Sequence, residues 1–404
     1  MLTIALIAVA TNVRAQTGQS GADFDPVGLL TRVRETREQF VGGQYDYRFS
    51  MLSEDAWLGY IEWNLDLGDQ TGLSYLAYYA LADQIGTQGR PRNNTANGNT
   101  NVIIGWTPPG QAVGNQGGFI FHYMNVGQVG GVTGPEFSQS LGLTSFTNDS
   151  PGNADLFRAF AWHQQLLDGS VEMRIGQFEP TALFNINSYA SDDTRSFLSA
   201  PLSAEPSRTT PGAGLGVIVI GQLLEDVFVG GALADANGKG EFLDFHSFGR
   251  GDYMTNAYIA WKPTYCGLSG SYQFAMYFVE ATDAATYSRG LGVNIEQSLS
   301  ENWAVFFKYN QSDKRQPLVR KSAAGGMMWT TPLGWTNDWM GMGFGWSEPT
   351  DQTLRDEYVL ESFWRMQMTP NTQFTPGVQL WLDPSMTPGV DTQAAFTLRL
   401  LTEF

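Results

Sequence analysis

The chain has 404 residues, of which only 16% are charged and 13% are aromatic, with 46 glycines and a formal net charge of −17. The single cysteine, Cys266, excludes a disulfide scaffold and a cysteine-based zinc cluster. The acidic balance argues against a nucleic-acid partner, since phosphates bind basic surfaces. The three histidines, His122, His163 and His246, are widely separated, and no hydrolase or nucleotide-binding motif accompanies them. We therefore expect no enzyme, no metal and no cofactor.

The first fifteen residues have the features of a signal peptide. Residues 2–10 are almost wholly apolar, and Val13 and Ala15 place small residues at the −3 and −1 positions of a cleavage site. We predict cleavage after Ala15, so that residues 1–15 are removed and the protein is exported. The rest of the chain has no apolar run of roughly 18 residues, so no transmembrane helix is expected.

One helix is predicted in the N-terminal segment 16–43. Asp25 is a suitable N-cap, and Pro26 occupies the first helical position. Apolar residues then recur at helical spacing, at Val27, Leu30 and Val33. A Gly-Gly pair at 42–43 ends the helix. The helix either plugs or caps another part of the protein, or forms a solvated arm.

After this helix the hydrophobic period changes to two. Residues 56–67 place Trp57, Ile61 and Trp63 on one face, with polar residues on the other. The same alternation recurs at 267–279, 302–311, 356–369, 372–383 and 392–404. Alternating apolar and polar faces, with aromatic residues near the strand ends, are typical of transmembrane β-strands. The sequence predicts an all-β fold, a transmembrane antiparallel barrel over residues 44–404.

The connections between these segments alternate in length. Short ones lie at 68–71, 166–169, 224–226, 300–302 and 370–372; long ones lie at 83–99, 128–153, 179–214, 238–251, 280–287, 313–324 and 384–391. Outer-membrane barrels have short periplasmic turns and long external loops. The polar strand faces are too hydrophilic for a packed core, so they predict a water-filled lumen.

Eighteen segments are candidate strands. Two are doubtful: 45–52 is separated from the next by only a few residues, and 325–334 is rich in glycine and methionine. We predict about sixteen strands after removal of both, with eighteen as the alternative. Either even number places both termini in the periplasm. The terminal Phe404 is typical of bacterial outer-membrane proteins, whose last aromatic residue is read by the barrel-assembly machinery.

The C-terminal part of the chain resembles a known family. It reads ESFWRMQMTP at 361–370 and TPGVQ at 375–379, before a last strand that contains Arg399. A second match reads RIGQF at 174–178 and NSYASDD at 187–193. Together these are similar to the carbohydrate-selective porins of the OprB family, well over 154–404 and weakly over 26–153. The chain departs from the family pattern at Gln177, where Lys is usual, and at Ser191, where Asn is frequent.

The resemblance implies an outer-membrane porin that gives passive, selective diffusion of saccharides. The alternative is a general or cation-preferring small-solute porin without sugar selectivity, which the net charge of −17 favours mildly. The partners expected are small saccharides as permeants, outer-membrane lipid and the barrel-assembly machinery.

Sugars carry many hydroxyl groups on a partly apolar ring, so a sugar path needs charged hydrogen-bonding groups and aromatic platforms at a narrow place. The candidates at inward positions of the wall are Arg158, Trp162, Glu172, Arg174, Lys308, Glu361, Arg365, Gln379 and Arg399. Trp162 lies four residues after Arg158, an even separation in a strand, and is therefore predicted to point inward as well. The equal alternative is that these charges only brace the wall.

The connection 179–214 is the longest and is too long for a plain turn. It is the candidate constriction loop, and it carries further candidate substrate-binding residues, Tyr189, Asp192, Asp193 and Arg195. The alternative is a surface loop that braces the external mouth. The adjacent acids are by themselves weak evidence for calcium.

Overall fold

The computed structural model describes residues 26–49, 54–87, 93–148, 152–180, 186–208, 210–282, 287–313 and 318–404. The predicted signal peptide lies outside these ranges. The α-helices within them are α1 (Pro26–Val41), α2 (Glu54–Thr71), α3 (Gly134–Ser140) and α4 (Ala200–Ser203). None of the helices in the described part of the chain is long and apolar enough to span a membrane. Helix α1 confirms the predicted N-terminal helix.

The described ranges also contain seventeen strands. In chain order they are β1 (Leu73–Gly86), β2 (Asn94–Trp106), β3 (Gly117–Gly131), β4 (Ala154–Leu166), β5 (Val171–Phe178), β6 (Gly214–Leu224), β7 (Val227–Asp235), β8 (Tyr253–Trp261), β9 (Thr264–Tyr265), β10 (Leu268–Val279), β11 (Ser288–Ser298), β12 (Trp303–Ser312), β13 (Val319–Trp329), β14 (Trp339–Pro349), β15 (Glu357–Thr369), β16 (Thr372–Leu382) and β17 (Thr392–Glu403).

The sheet closes on itself as an antiparallel barrel. Neighbouring strands pair in chain order, and β17 pairs with β1, with Glu403 opposite Tyr78 and Ala395 opposite Gly86. The two-residue strand β9 pairs only with the start of β10, whereas β8 pairs directly with β10. The wall therefore has sixteen strands, which confirms the predicted number. Within the described residues, closure pairs each of the sixteen wall strands on both sides, as a lipid environment requires.

The sixteen strands are not the sixteen predicted. The doubtful segment 325–334 begins inside β13, and the described part of segment 45–52 is not a strand. Segment 56–67 lies within α2, and the predicted turn at 68–71 is the last turn of the same helix. The barrel therefore begins at Leu73 and not at residue 44.

Helix α2 forms because its ends favour a helix. Glu54 and Asp55 lie in its first turn, where negative charge interacts favourably with the helix dipole. Gly72, with φ +73°, ends it in the left-handed region that glycine adopts easily. Alternation had placed Ile61 and Trp63 on one face, yet Ile61 is 2% exposed and Trp63 is 53% exposed. Residues four apart, such as Trp57 and Ile61, fit a strand period of two and also the i, i+4 spacing of a helix. Alternation alone therefore did not distinguish a strand from a helix here.

The two ends of the barrel differ in the length of their connections. One end, the short-turn end, has the connections 107–116, 167–170, 225–226, 262–267, 299–302, 330–338 and 370–371. The other, the long-loop end, has 87–93, 132–153, 179–213, 236–252, 280–287, 313–318, 350–356 and 383–391. The predicted turns at 166–169 and 300–302 thus lie at the same end, opposite the long loops.

The wall has an apolar outer face and a polar inner face. Alternate residues of β17 show this division: Phe396 and Leu398 are exposed on the outside, whereas Thr397 and Arg399 are buried on the inside. In β12, Phe307 is exposed and Lys308 is buried next to it. The wall therefore presents its charges to the interior, where the candidate site residues lie.

Candidate channel lining

Residues 186–208, a continuous described stretch of the long connection after β5, form what we name the internal loop. Its apolar side chains share one buried cluster with Phe306, Trp339 and Phe363 of the inner wall. The Phe197 ring centroid lies 5.0 Å from that of Phe363 and 5.5 Å from that of Phe306. A Cβ at Gly343 would come within 2.6 Å of Leu202. The loop therefore lies inside the barrel, in close contact with β12, β14 and β15.

Carboxylates of the wall accept hydrogen bonds from the backbone of the internal loop. Glu361 accepts from the N–H groups of Leu198 at 2.6 Å and Ser199 at 2.9 Å. Glu296 accepts from the N–H of Ser188 at 2.6 Å and from its hydroxyl at 2.8 Å. These charge-assisted bonds satisfy loop N–H groups that have left the solvent, and they fix the path of the loop.

Cations of the wall donate to the loop carbonyls. Lys308 Nζ donates to three of them, those of Ala190 at 2.7 Å, Ala204 at 2.9 Å and Leu202 at 3.3 Å. The Arg399 guanidinium donates to the carbonyl of Asp193 at 2.7 Å and to that of Ser196. Lys308, Glu361 and Arg399 therefore bind the loop from three strands of the wall, and between them they satisfy both kinds of backbone group.

The acidic pair of the loop has two separate roles. Asp192 is fully buried, and its Oδ1 accepts from the N–H groups of Thr194 and Arg195, each at 2.9 Å. It therefore shapes a turn in the loop. Asp193 contributes its backbone carbonyl to Arg399, as described above. The contacts of the two residues therefore differ, because Asp192 uses its carboxylate and Asp193 uses its backbone carbonyl.

Arg195 binds the loop to the seam between β17 and β1. Its Nη2 lies 3.2 Å from Glu403 Oε1, and its guanidinium carbon lies 4.7 Å from the centroid of the Tyr78 ring. Its Nη1 also lies 3.6 Å from Asp192 Oδ2. The loop therefore extends from the long-loop end to residues near the short-turn end.

Tyr189 and Arg365 meet around one indole near the short-turn end. The Tyr189 ring centroid lies 6.3 Å from that of Trp339, and the Arg365 guanidinium carbon lies 4.1 Å from the same indole. Burial, and next the negative charge of Glu296, raise the pKa of the Tyr189 hydroxyl to about 12. This phenol is therefore neutral at physiological pH and acts as a packing residue with a polar tip.

A second inward segment was missed by sequence reasoning. Residues 132–148, after β3, contain α3, whose Phe137 belongs to the same buried cluster as the internal loop. Glu357 accepts from the N–H groups of Thr144 at 2.5 Å and Ser145 at 2.9 Å, and Gln379 donates to the carbonyl of Thr147 at 2.8 Å. The sequence did contain a usable signal for such inward segments, which is an acidic residue at an inward strand position. Glu357 and Glu296 are two examples.

A separate charged group lies along β4 and β5, from Arg158, where the long connection leaves the wall, to Glu172 near the short-turn end. Arg158 forms an ion pair with Glu179 at the end of β5. His163 Nε2 lies 3.2 Å from Glu172 Oε1, and Arg174 is opposite His163 in the strand register. Arg158 and Arg174 are both buried. The group offers donors and acceptors side by side on the inner wall.

The predicted inward position of Trp162 is wrong. His122 pairs with Ala159 but Tyr123 pairs with Phe157, so a β-bulge at Arg158 inserts one residue. The bulge reverses the alternation, and Trp162 pairs with Phe119 on the outer face. Phe119 is 44% exposed, and its ring centroid lies 4.8 Å from that of Trp162. Trp162 therefore belongs to the lipid-facing aromatic residues.

A closed sixteen-stranded barrel with a polar inner wall, short turns at one end and a loop packed inside defines the porin class of bacterial outer-membrane proteins. The family model described as "Carbohydrate-selective porin, OprB family" matches residues 250–404. This match confirms the resemblance to the OprB family in the C-terminal part of the chain.

Curated relatives and solved structures are also similar. Porin AaxA of Chlamydia muridarum is 22% identical over 271 residues, and porin AaxA of Chlamydia trachomatis serovar L2 is 23% identical over 267 residues. These alignments cover 65% and 64% of this chain, but only 58% and 57% of the relatives. The high-pH structure of Pseudomonas putida OprB has a TM-score of 0.70 at 15% identity, and the alignment covers 89% of this chain and 99% of that one. At that identity the structural likeness shows the fold.

Proposed function

We propose that the protein is a channel for the passive, selective diffusion of small saccharides across the outer membrane, with no catalytic role. The observation that carries the proposal is the internal loop, which narrows a polar lumen in a barrel whose C-terminal part matches a carbohydrate-selective family. A saccharide is neutral and rich in hydroxyl groups, so fixed donors and acceptors can replace its hydration water at a narrow place. Outer-membrane lipid surrounds the wall, and the strand ending in Phe404 engages the assembly machinery.

Within this proposal the candidate residues divide into two groups. Lys308, Glu361 and Arg399 act indirectly, because their hydrogen-bonding groups are used to hold the internal loop in place. The charged group on β4 and β5, with Glu172 and Arg174, offers its polar atoms to a permeant. Each charge-assisted hydrogen bond contributes about 1.5–3 kcal/mol when shielded, and less in a wet lumen. Such modest attraction lets a sugar enter and also leave.

The test is reconstitution of the purified protein in planar lipid bilayers, with ion current recorded while glucose or a disaccharide is added. The proposal predicts a concentration-dependent block of the current. A salt gradient across the same membrane measures ion preference. A channel that sugars do not block but that strongly prefers cations would support the alternative, to which the formal charge of −17 points.

A further inference from the structure

The mouth of the barrel at the short-turn end contains part of the N-terminal segment. Leu30 and Val33 of α1 are buried in a cluster with four wall residues, Leu76, Tyr78, Ile103 and Leu401. The neighbours Ile104 and Leu400 are exposed on the outer face. Since alternate residues of a strand point to opposite faces, Ile103 and Leu401 point inward. Helix α1 therefore lies inside the mouth.

After α1 the chain crosses to another part of the wall. Residues 44–49, which we name the strap, reach the short-turn ends of β14 and β15. The N–H groups of Arg48 and Phe49 donate to the carbonyl of Met368 at 3.1 and 2.8 Å. Helix α1 packs against β1, β2 and β3 and also contacts Leu401 of β17, so β16 separates its contacts from those of the strap on β15. The N-terminal segment thus follows a path across part of the mouth.

One buried ion pair holds the strap. Arg48 Nη1 lies 2.8 Å from Asp338 Oδ1, and Nη2 lies 2.5 Å from Oδ2, a bidentate arrangement. The Asp338 side chain is 1% exposed and also accepts from Trp364 Nε1 and from the Gln367 N–H, each at 2.9 Å. The Arg48 guanidinium carbon lies 4.5 Å from the centroid of the Trp335 ring. Such a site fixes the strap firmly, because loss of Arg48 leaves a buried carboxylate without its cation.

We propose that α1 and the strap form a second constriction, in series with the internal loop, which sets the upper size of solute that passes the short-turn mouth. The inference rests on the proposed channel function. The two constrictions meet at one residue, because the ring of Tyr78 is buried with Leu30 and Val33 and also lies beneath the Arg195 guanidinium. A permeant that has passed the internal loop therefore still has to pass α1.

The experiment compares the parent protein with two variants in planar bilayers. Arg48→Ala releases the strap, and Val33→Asp places a charge on the buried face of α1. We expect single-channel conductance to rise about twofold in each, because the open cross-section increases. We also expect larger polyethylene glycols to enter from the short-turn side. Arg34→Ala is the matched control, since its ion pairs with Glu38 and Asp69 are exposed and contribute little.

Heat-modifiable migration on gels establishes that each variant is a folded barrel before its current is recorded. Folded Arg48→Ala and Val33→Asp channels with the conductance and polymer cut-off of the parent would overturn the second constriction. If the parent shows sugar block at the same time, the proposed function stands. If the variants conduct more but the parent shows no sugar block, the constriction is supported and the saccharide proposal fails.

Discussion

At the scale of single residues, the same charged side chains were open to two interpretations, as a sugar path or as a brace. The structure gives Glu361, Lys308 and Arg399 defined partners, and these are backbone groups of the internal loop. Glu361 and Lys308 illustrate the two kinds, because one binds loop N–H groups and the other binds loop carbonyls. A loop held through its backbone is insensitive to many changes of its own side chains, but sensitive to loss of one wall charge.

Replacement of Glu361 by Ala should release part of the internal loop. It leaves the N–H groups of Leu198 and Ser199 without their acceptor, which costs about 1–3 kcal/mol for each buried group. We expect faster protease cleavage within residues 186–208, noisier current and a lower temperature at which the folded gel band is lost. Asp155→Ala is the control, because Asp155 is exposed. Equal protease resistance of both variants would contradict the anchoring role.

Replacement of Arg174 by Ala should weaken sugar block of the current several-fold while single-channel conductance stays level or rises. The reason is that Arg174 lies in the charged group on β4 and β5, which we propose faces the permeant. Arg289→Ala is the matched control, since Arg289 is exposed and paired with Asp313 at the long-loop end. If Arg174→Ala instead lowers the folding yield and leaves glucose and disaccharide block unchanged, Arg174 braces the wall.

At the scale of elements, the sequence alone predicted the strands in which apolar and polar residues alternate. It did not predict an element whose apolar positions fit both a strand period and a helical period. The closing strands β15 to β17 could be predicted because apolar and polar residues alternate over most of their length. Helix α2 could not, because its apolar positions suit a period of two as well as a helix. The inward path of the internal loop depends on distant wall residues such as Glu296 and Lys308, and local patterns contain no such information.

The bulge at Arg158 shows that one inserted residue is enough to make a prediction from strand alternation wrong. Counting from Arg158 placed Trp162 inward, but the pairing of the strands shifts between these two residues. A bulge leaves little trace in sequence, because the inserted residue here is as polar and as buried as an ordinary inward one. Parity is therefore reliable only between residues on the same side of an irregularity.

Cysteine substitutions should distinguish the two faces of β4. In a Cys266→Ser background, we expect Trp162→Cys to contact lipid, so that a charged, water-soluble thiol reagent leaves the current unchanged. His163→Cys, the adjacent residue, should react through the lumen and lower the current, because His163 lies on the inner face beside Glu172. A drop in current at Trp162→Cys and none at His163→Cys would reverse the assignment.

At the scale of the whole molecule, orientation follows from the unequal ends. We expect the short-turn end in the periplasm and the long-loop end outside the cell. In a Cys266→Ser background, cysteines at Leu318 and Asp391 should label from outside intact cells, because both side chains are exposed at the long-loop end. Cysteines at Leu167 and Leu299, exposed in short turns, should label only after the outer membrane is permeabilised. The opposite pattern would contradict the orientation.

The internal loop leaves the wall after β5, yet the groups that hold it lie in β11, β12, β15 and β17, together with Tyr78 of β1. Arg195 finds Glu403 and Tyr78 side by side only when β17 is paired with β1. The final position of the loop therefore depends on closure of the seam. A barrel whose seam is open lacks this anchor of the loop, so seam closure and narrowing of the lumen are coupled.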